Sequence, residues 1–116
     1  MGGCETQEQK VEKLIKQLQD DVEIRHYAIW ELVEIGKDAV PTLIQLLQDK
    51  NAGSDVRANV ATALGWIGGG AQDTVPSLIQ ALQDQDAGVC QGAVEALENI
   101  DTPEALKAVE EYESRQ

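Results

Sequence analysis

A chain of 116 residues is the length of one domain, and it buries a core only if most of its elements share it. Its 21 acidic residues against 9 Lys and Arg give a formal net charge of -12. That surface repels nucleic-acid backbones and anionic lipid headgroups, and so excludes both as expected partners. Leu, Ile, Val and Ala supply the apolar content, Phe is absent, and the aromatics are Tyr27, Trp30, Trp66 and Tyr112. Close-packed helices use such a composition better than a sandwich or a barrel, so the expected class is all-α.

The opening segment, residues 1–9, reads as a flexible N-terminus. Met1-Gly-Gly-Cys4-Glu-Thr6 matches the bare form of a myristoylation signal, with Cys4 as a second acyl acceptor, and Gly3-Cys4 resembles the end of a lipobox. Glu5 and Glu8 stand where a polybasic stretch would assist anchoring, so no lipid anchor is expected. No charged-then-apolar leader precedes the first helix, and no apolar run reaches the roughly 18 residues of a transmembrane helix. Cys4 and Cys90 show neither CxxC spacing nor scaffold density, which fits a reducing compartment; the expected localisation is cytoplasmic.

Residues 10–116 read as a single domain of internal repeats, at about 10–37, 38–71 and 72–101, closed by a helix over 102–116. Each repeat begins alike, with Val11-Glu-Lys-Leu-Ile-Lys-Gln-Leu18, Val40-Pro-Thr-Leu-Ile-Gln-Leu-Leu47 and Val75-Pro-Ser-Leu-Ile-Gln-Ala-Leu82, and each is followed by Gln-Asp, ending at Asp20, Asp49 and Asp84. A second apolar-periodic stretch follows, through Ala28, Leu32 and Ile35, then Val60, Leu64 and Ile67, then Ala93, Leu97 and Ile100. Arg25, Arg57 and Cys90 open these stretches at equivalent places, 32 and then 33 residues apart. Apolar positions at intervals of three and four make each unit two antiparallel amphipathic helices.

Gly36 and Gly68 stop the first two second helices. Asp38 and Asp73, each three residues before a proline (Pro41, Pro76), are expected N-caps that set the proline in a first helical turn. Lys50–Ser54 and Gly69–Gln72 read as loops. Thr102 before Pro103 opens the last helix, through Leu106, Val109 and Tyr112. That helix carries Glu110 and Glu113 on its outer face, so it is expected to cap the stack against water.

The paired pattern V-P-x-L-I-x-x-L-x-D and V-R-x-x-x-A-x-x-L-G-x-I-G resembles HEAT repeats of the phycobilisome-lyase type, from about Val11 to Glu113. The resemblance implies a short right-handed α-α superhelix, with first helices on the convex side and second helices lining a concave side where partners lie. It is poor for function, since that class includes bilin lyase subunits, deoxyhypusine hydroxylase and proteins that only bind others. It also implies a structural ladder in which Asp20 and Arg25, and Asp49 and Arg57, tie adjacent loops by charge-assisted hydrogen bonds. In the third repeat Cys90 replaces the Arg opposite Asp84, so the ladder is expected to end there, and Cys90 reads as a small, partly buried and unactivated thiol.

Tyr27, Trp30 and Trp66 occupy second-helix positions that the repeat leaves outside the core. Trp30 aligns with Thr62, and Trp66 lies one turn further along the same stripe. With His26 and Tyr27 beside them, and Asn59, Thr62, Gln91, Glu95 and Asn99 continuing the stripe, these residues form a candidate partner-binding face of aromatic anchors and polar rim. The competing account is that the aromatics only fill gaps between helices.

Catalytic groups are not assembled by the sequence. The hydroxylase relatives hold iron with repeated His-Glu pairs, whereas His26 is this chain's one histidine and Tyr27 follows it. No zinc cluster or Ser-His-Asp arrangement is evident, and Gly68-Gly69-Gly70 lacks the strand and Lys of a phosphate loop. Glu31 and Glu34 read as a solvated helix face. The expectation is a non-enzymatic, cofactor-free scaffold, monomeric or weakly dimeric, whose partner is another protein, drawn by charge to basic surfaces. The alternative is a subunit of a bilin lyase or a chaperone for a tetrapyrrole protein. From Ala58 to Leu106 there is no Lys or Arg, which concentrates negative charge in that half.

Overall fold

The computed structural model describes residues 5–18, 22–68 and 74–116. Among these residues every regular element is helical: α1 (Gln7–Gln17), α2 (Val22–Ile35), a 3₁₀ turn (Gly36–Ala39), α3 (Val40–Gln48), α4 (Ser54–Ile67), α5 (Val75–Ala81), α6 (Ala87–Ile100) and α7 (Pro103–Ser114). Consecutive helices pack as hairpins, α1 on α2, α3 on α4 and α5 on α6, with α7 closing the end against α5 and α6. The second helices form one layer, α2 on α4 on α6, and α3, α5 and α7 follow one another in the other. The product is an all-α solenoid with extents of 57 × 25 × 22 Å.

Buried leucines make its spine: Leu18, Leu32, Leu43, Leu64, Leu78 and Leu97 have no exposed surface, with Leu43 and Leu78 at equivalent places on first helices and Leu32, Leu64 and Leu97 on second helices. Each sits where an apolar stripe of one helix meets the next, so each unit is stable only when stacked. Val11 and Leu14 on α1 are buried in the same core, so that helix's apolar stripe is already used within the chain.

Helix ends follow the sequence in part. Gly36 and Gly68 adopt positive φ of 73° and 65°, which glycine takes at a helix end without a Cβ penalty. Asp101 takes the same place after α6, at φ 60°. Thr102 caps α7 by accepting the N–H of Ala105 at 3.1 Å, and Pro41, Pro76 and Pro103 all stand in first turns.

Asp38, by contrast, does not cap α3. The chain enters that helix through the 3₁₀ turn, and the residue before it, Ala39, is itself in the αR region. A side-chain cap needs an extended residue at that point, and none is present. Asp73 and the 69–72 loop lie outside the described residues, as do Met1–Cys4 with the acylation motif. The first helix also begins earlier than expected, at Gln7. Thr6 and Gln9 form a reciprocal capping box there: the Thr6 hydroxyl accepts the Gln9 N–H at 3.1 Å, and the Gln9 side-chain Oε1 accepts the Thr6 N–H at 2.9 Å. No described helix is long and apolar enough to cross a membrane.

Candidate functional site

The spacing between second helices is set by side-chain size at equivalent positions. On α4 the face toward α6 presents Ala58, Ala61 and Gly65, and α6 answers with Gly92 and Ala96. A Cβ on Gly65 would lie 2.6 Å from the Ala96 Cα, and one on Gly92 would lie 3.2 Å from the Ala58 carbonyl oxygen. The two backbones therefore touch, and this is the most extensive helix contact among the described residues. One repeat earlier, α2 carries His26, Ile29 and Val33 in place of Ala58, Ala61 and Gly65, and α4 carries Asn59 in place of Gly92. These larger side chains hold α2 off α4.

What remains between α2 and α4 is a groove of about 350 Å³, lined by His26, Ile29, Trp30, Val33, Asn59, Thr62 and Trp66. Ile29 and Val33 are half-buried and give it an apolar floor. At its edge the Trp30 and Trp66 rings stand with centroids 6.1 Å apart and planes tilted by 39°, within the range of a favourable aromatic pair. They remain 63% and 59% exposed.

The polar members are partly engaged. Asn59 Nδ2 donates to the Asp55 carbonyl at 2.8 Å and Thr62 Oγ1 to the Ala58 carbonyl at 3.1 Å, each one turn back on α4. These bonds fix both side chains at the rim while leaving acceptor capacity on the Asn59 and Thr62 oxygens. Tyr27 is exposed on α2 but does not line the groove. Gln91, Glu95 and Asn99 form an exposed stripe on α6, outside the lining as well. The groove thus gathers five of the nine candidate binding residues, and it adds Ile29 and Val33, which the sequence reading had assigned to no site. Comparing the two second-helix interfaces for small residues would have located them.

Of the ladder expected to tie adjacent loops, the described residues show one rung, and it pairs Arg57 with the Asp of the next repeat instead of with Asp49. Arg57 reaches into the next repeat: Nε donates to Asp84 Oδ2 at 3.2 Å and Nη2 to Oδ1 at 3.3 Å. Its Nη1 donates to the Ala52 carbonyl of its own loop. Asp49, the expected partner of Arg57, instead accepts the Asn51 N–H at 2.9 Å within its own turn. Asp84 also accepts the Asp86 N–H at 2.8 Å. That backbone bond and the Arg57 guanidinium outweigh burial and hold its carboxyl below the usual carboxylate range. Cys90, in the place of an Arg, donates its thiol to the Asp84 carbonyl at 3.0 Å and to that of Leu82 at 3.4 Å, so it closes the same loop locally. Among the described residues the ion pairs are Arg57–Asp84 and Lys10–Glu31; Arg25 and Asp49 do not form one. Asp20 lies outside the described residues.

A larger hollow of about 760 Å³ lies at the loop edge, around Gln48, Lys50, Arg57, Gln80 and Asp84. Two polar pairs cross it between repeats, Arg57–Asp84 and a 3.0 Å bond from Gln48 Nε2 to Ser77 Oγ. It reads as part of the link between repeats. Glu31, half of the carboxylate pair on α2, is held by Lys10 at 3.2 Å, while Glu34 is solvated.

Comparisons with known proteins agree with this architecture. The chain is similar to the crystal structure of an engineered protein, a Northeast Structural Genomics Consortium target, at 29% identity and a TM-score of 0.53, over 89% of this chain and 51% of that one. It therefore spans about half of that protein's length. No curated protein matches it. HEAT repeats are matched over residues 11–72 and again over 55–114. The chain belongs to the HEAT-repeat family.

Proposed function

We propose that this protein is a non-catalytic interaction scaffold that holds a protein partner along the face of its second helices, with Trp30 and Trp66 as the anchors. HEAT-repeat membership supports a role in protein interaction. The observation that carries the site is two neighbouring tryptophans, both more than half exposed, over a groove with an apolar floor. Tryptophan concentrates binding energy at interfaces because it brings a large rigid surface at low conformational cost. Tyr27 extends the aromatic surface along α2, and Gln91, Glu95 and Asn99 supply a polar continuation on α6.

Capture of the partner by Trp30→Ala and by Trp66→Ala tests the reading. Each change weakens binding by about 1 kcal/mol or more with helicity retained, and undiminished affinity in both variants removes the site. The tetrapyrrole alternative draws on the same aromatic lining. It predicts a changed absorption spectrum when a free bilin is mixed with the chain, whereas the scaffold reading predicts none.

A further inference from the structure

We infer that the groove takes an arginine-bearing basic segment of the partner, with a guanidinium laid on the exposed face of one of the paired tryptophans. The inference rests on the scaffold reading and adds the partner's chemistry. Charge complementarity carries it. Glu23 and Glu34 share the α2 stripe of Tyr27 and Trp30, Asp55 shares the α4 stripe of Asn59, Thr62 and Trp66, and Glu95 lies between Gln91 and Asn99; all four acids are exposed. No Lys or Arg stands on these stripes, and His26 is the one basic side chain in the groove lining. Arg25 shares its stripe with the buried Ala28 and Leu32, Arg57 is committed to Asp84, and α6 has no Lys or Arg.

The ring geometry narrows the mode of contact. A guanidinium sandwiched between two rings needs about 3.5 Å on each side. The centroids stand 6.1 Å apart with tilted planes, so the cation lies on an outward face instead of between the rings. A cation there falls within about 6 Å of a ring centroid, where the attraction of the π face is appreciable. Arginine suits the place better than lysine, because its plane stacks on the indole while its edge N–H groups remain free for carboxylates and for the Asn59 and Thr62 oxygens. An apolar helix would match the floor but leave the acidic rim without a counterpart.

The chain's two tryptophans are Trp30 and Trp66, so its tryptophan fluorescence reports on this site directly. The full chain is titrated with a short Arg/Gly/Ser peptide, with the same peptide bearing Gln for Arg, and with a neutral proline-rich peptide. The expected result is a saturable change with the Arg peptide alone, weakening as salt is raised. At least one of Trp30→Ala, with Trp66 as reporter, and Trp66→Ala, with Trp30 as reporter, lowers the affinity about fivefold, and the triple variant Glu34→Gln, Asp55→Asn, Glu95→Gln lowers it about threefold with both rings and the core intact. Equal binding of the Gln peptide, full affinity in both Trp30→Ala and Trp66→Ala, or no response to any peptide overturns the inference. Preference for the proline-rich peptide overturns it too, yet leaves a protein-binding groove in place. The scaffold reading itself stands or falls on partner capture by the tryptophan variants.

Discussion

Substituting Gly65 with Ala probes the close contact that organises the second-helix layer. The new Cβ would sit 2.6 Å from the Ala96 Cα and 2.9 Å from its Cβ. Carbon atoms pack at about 3.5–4.0 Å, so α4 and α6 must part by roughly 1 Å. The nearest obstacle is backbone, which cannot rotate aside as a long side chain can. Overpacking of this kind costs about 1–3 kcal/mol, while replacing a mid-helix glycine by alanine returns up to about 1 kcal/mol of helix propensity. The net expectation is a loss of about 1–2 kcal/mol, or roughly 4–8 °C in Tm for a domain of this size. Thermal and urea unfolding followed by circular dichroism measures it. A Gly65→Ala protein as stable as the parent, or more so, would refute the claim that backbone contact between α4 and α6 sets the helix spacing.

Other expectations follow from the same geometry. Arg57→Ala breaks a two-pronged ion pair and a bond to the Ala52 carbonyl, and should cost about 1–2 kcal/mol in chemical denaturation. The Asp84 carboxyl is depressed in the folded chain. Its contribution is therefore present above the unfolded value, near 4, and is lost as pH falls through the folded one. The stability gap between the parent and Asp84→Asn should hold at neutral pH and close in acid; a gap that widens in acid contradicts the assignment. Thr102→Ala removes the cap of α7 and should destabilise by about 1 kcal/mol, read as earlier loss of protection in that helix by hydrogen exchange.

The repeats, the hairpins and the C-terminal cap were legible because burial imposes a helical period on each stretch and stacking imposes about 33 residues on the whole. Gly36 and Gly68 marked helix ends for a local reason, a backbone of positive φ. Asp101 fills the equivalent place in the third repeat without being glycine, and an Asp there reads as an ordinary loop residue. Asp38 looked like a cap because of its distance from Pro41, but capping depends on backbone dihedrals that composition does not display. The partner of Arg57 was out of reach for another reason: an Asp of the same repeat and one of the next are equally good partners by sequence, and only the offset between stacked hairpins chooses Asp84.

The candidate site divides along similar lines. Trp30 and Trp66 were legible as exposed neighbours because each departs from the small or polar residues that the repeat places there. The limits of the groove were not. They depend on how far apart neighbouring helices sit, which follows from His26, Ile29, Val33 and Asn59 on one side of α4 and from Ala58, Gly65, Gly92 and Ala96 on the other. Where small residues close the α4 and α6 seam, the stripe of Gln91, Glu95 and Asn99 remains a surface without a cleft.

The most direct test of the account is a photo-activatable cross-linker placed in turn at Asn59, at the rim of the groove, and at Gln45, exposed on α3 in the opposite layer. In cells expressing the protein, position 59 should give a discrete adduct with a partner protein that vanishes when Trp30 and Trp66 are both changed to Ala. An adduct formed equally from position 45, or one from position 59 that survives loss of both tryptophans, would contradict the claim that the second-helix groove holds the partner.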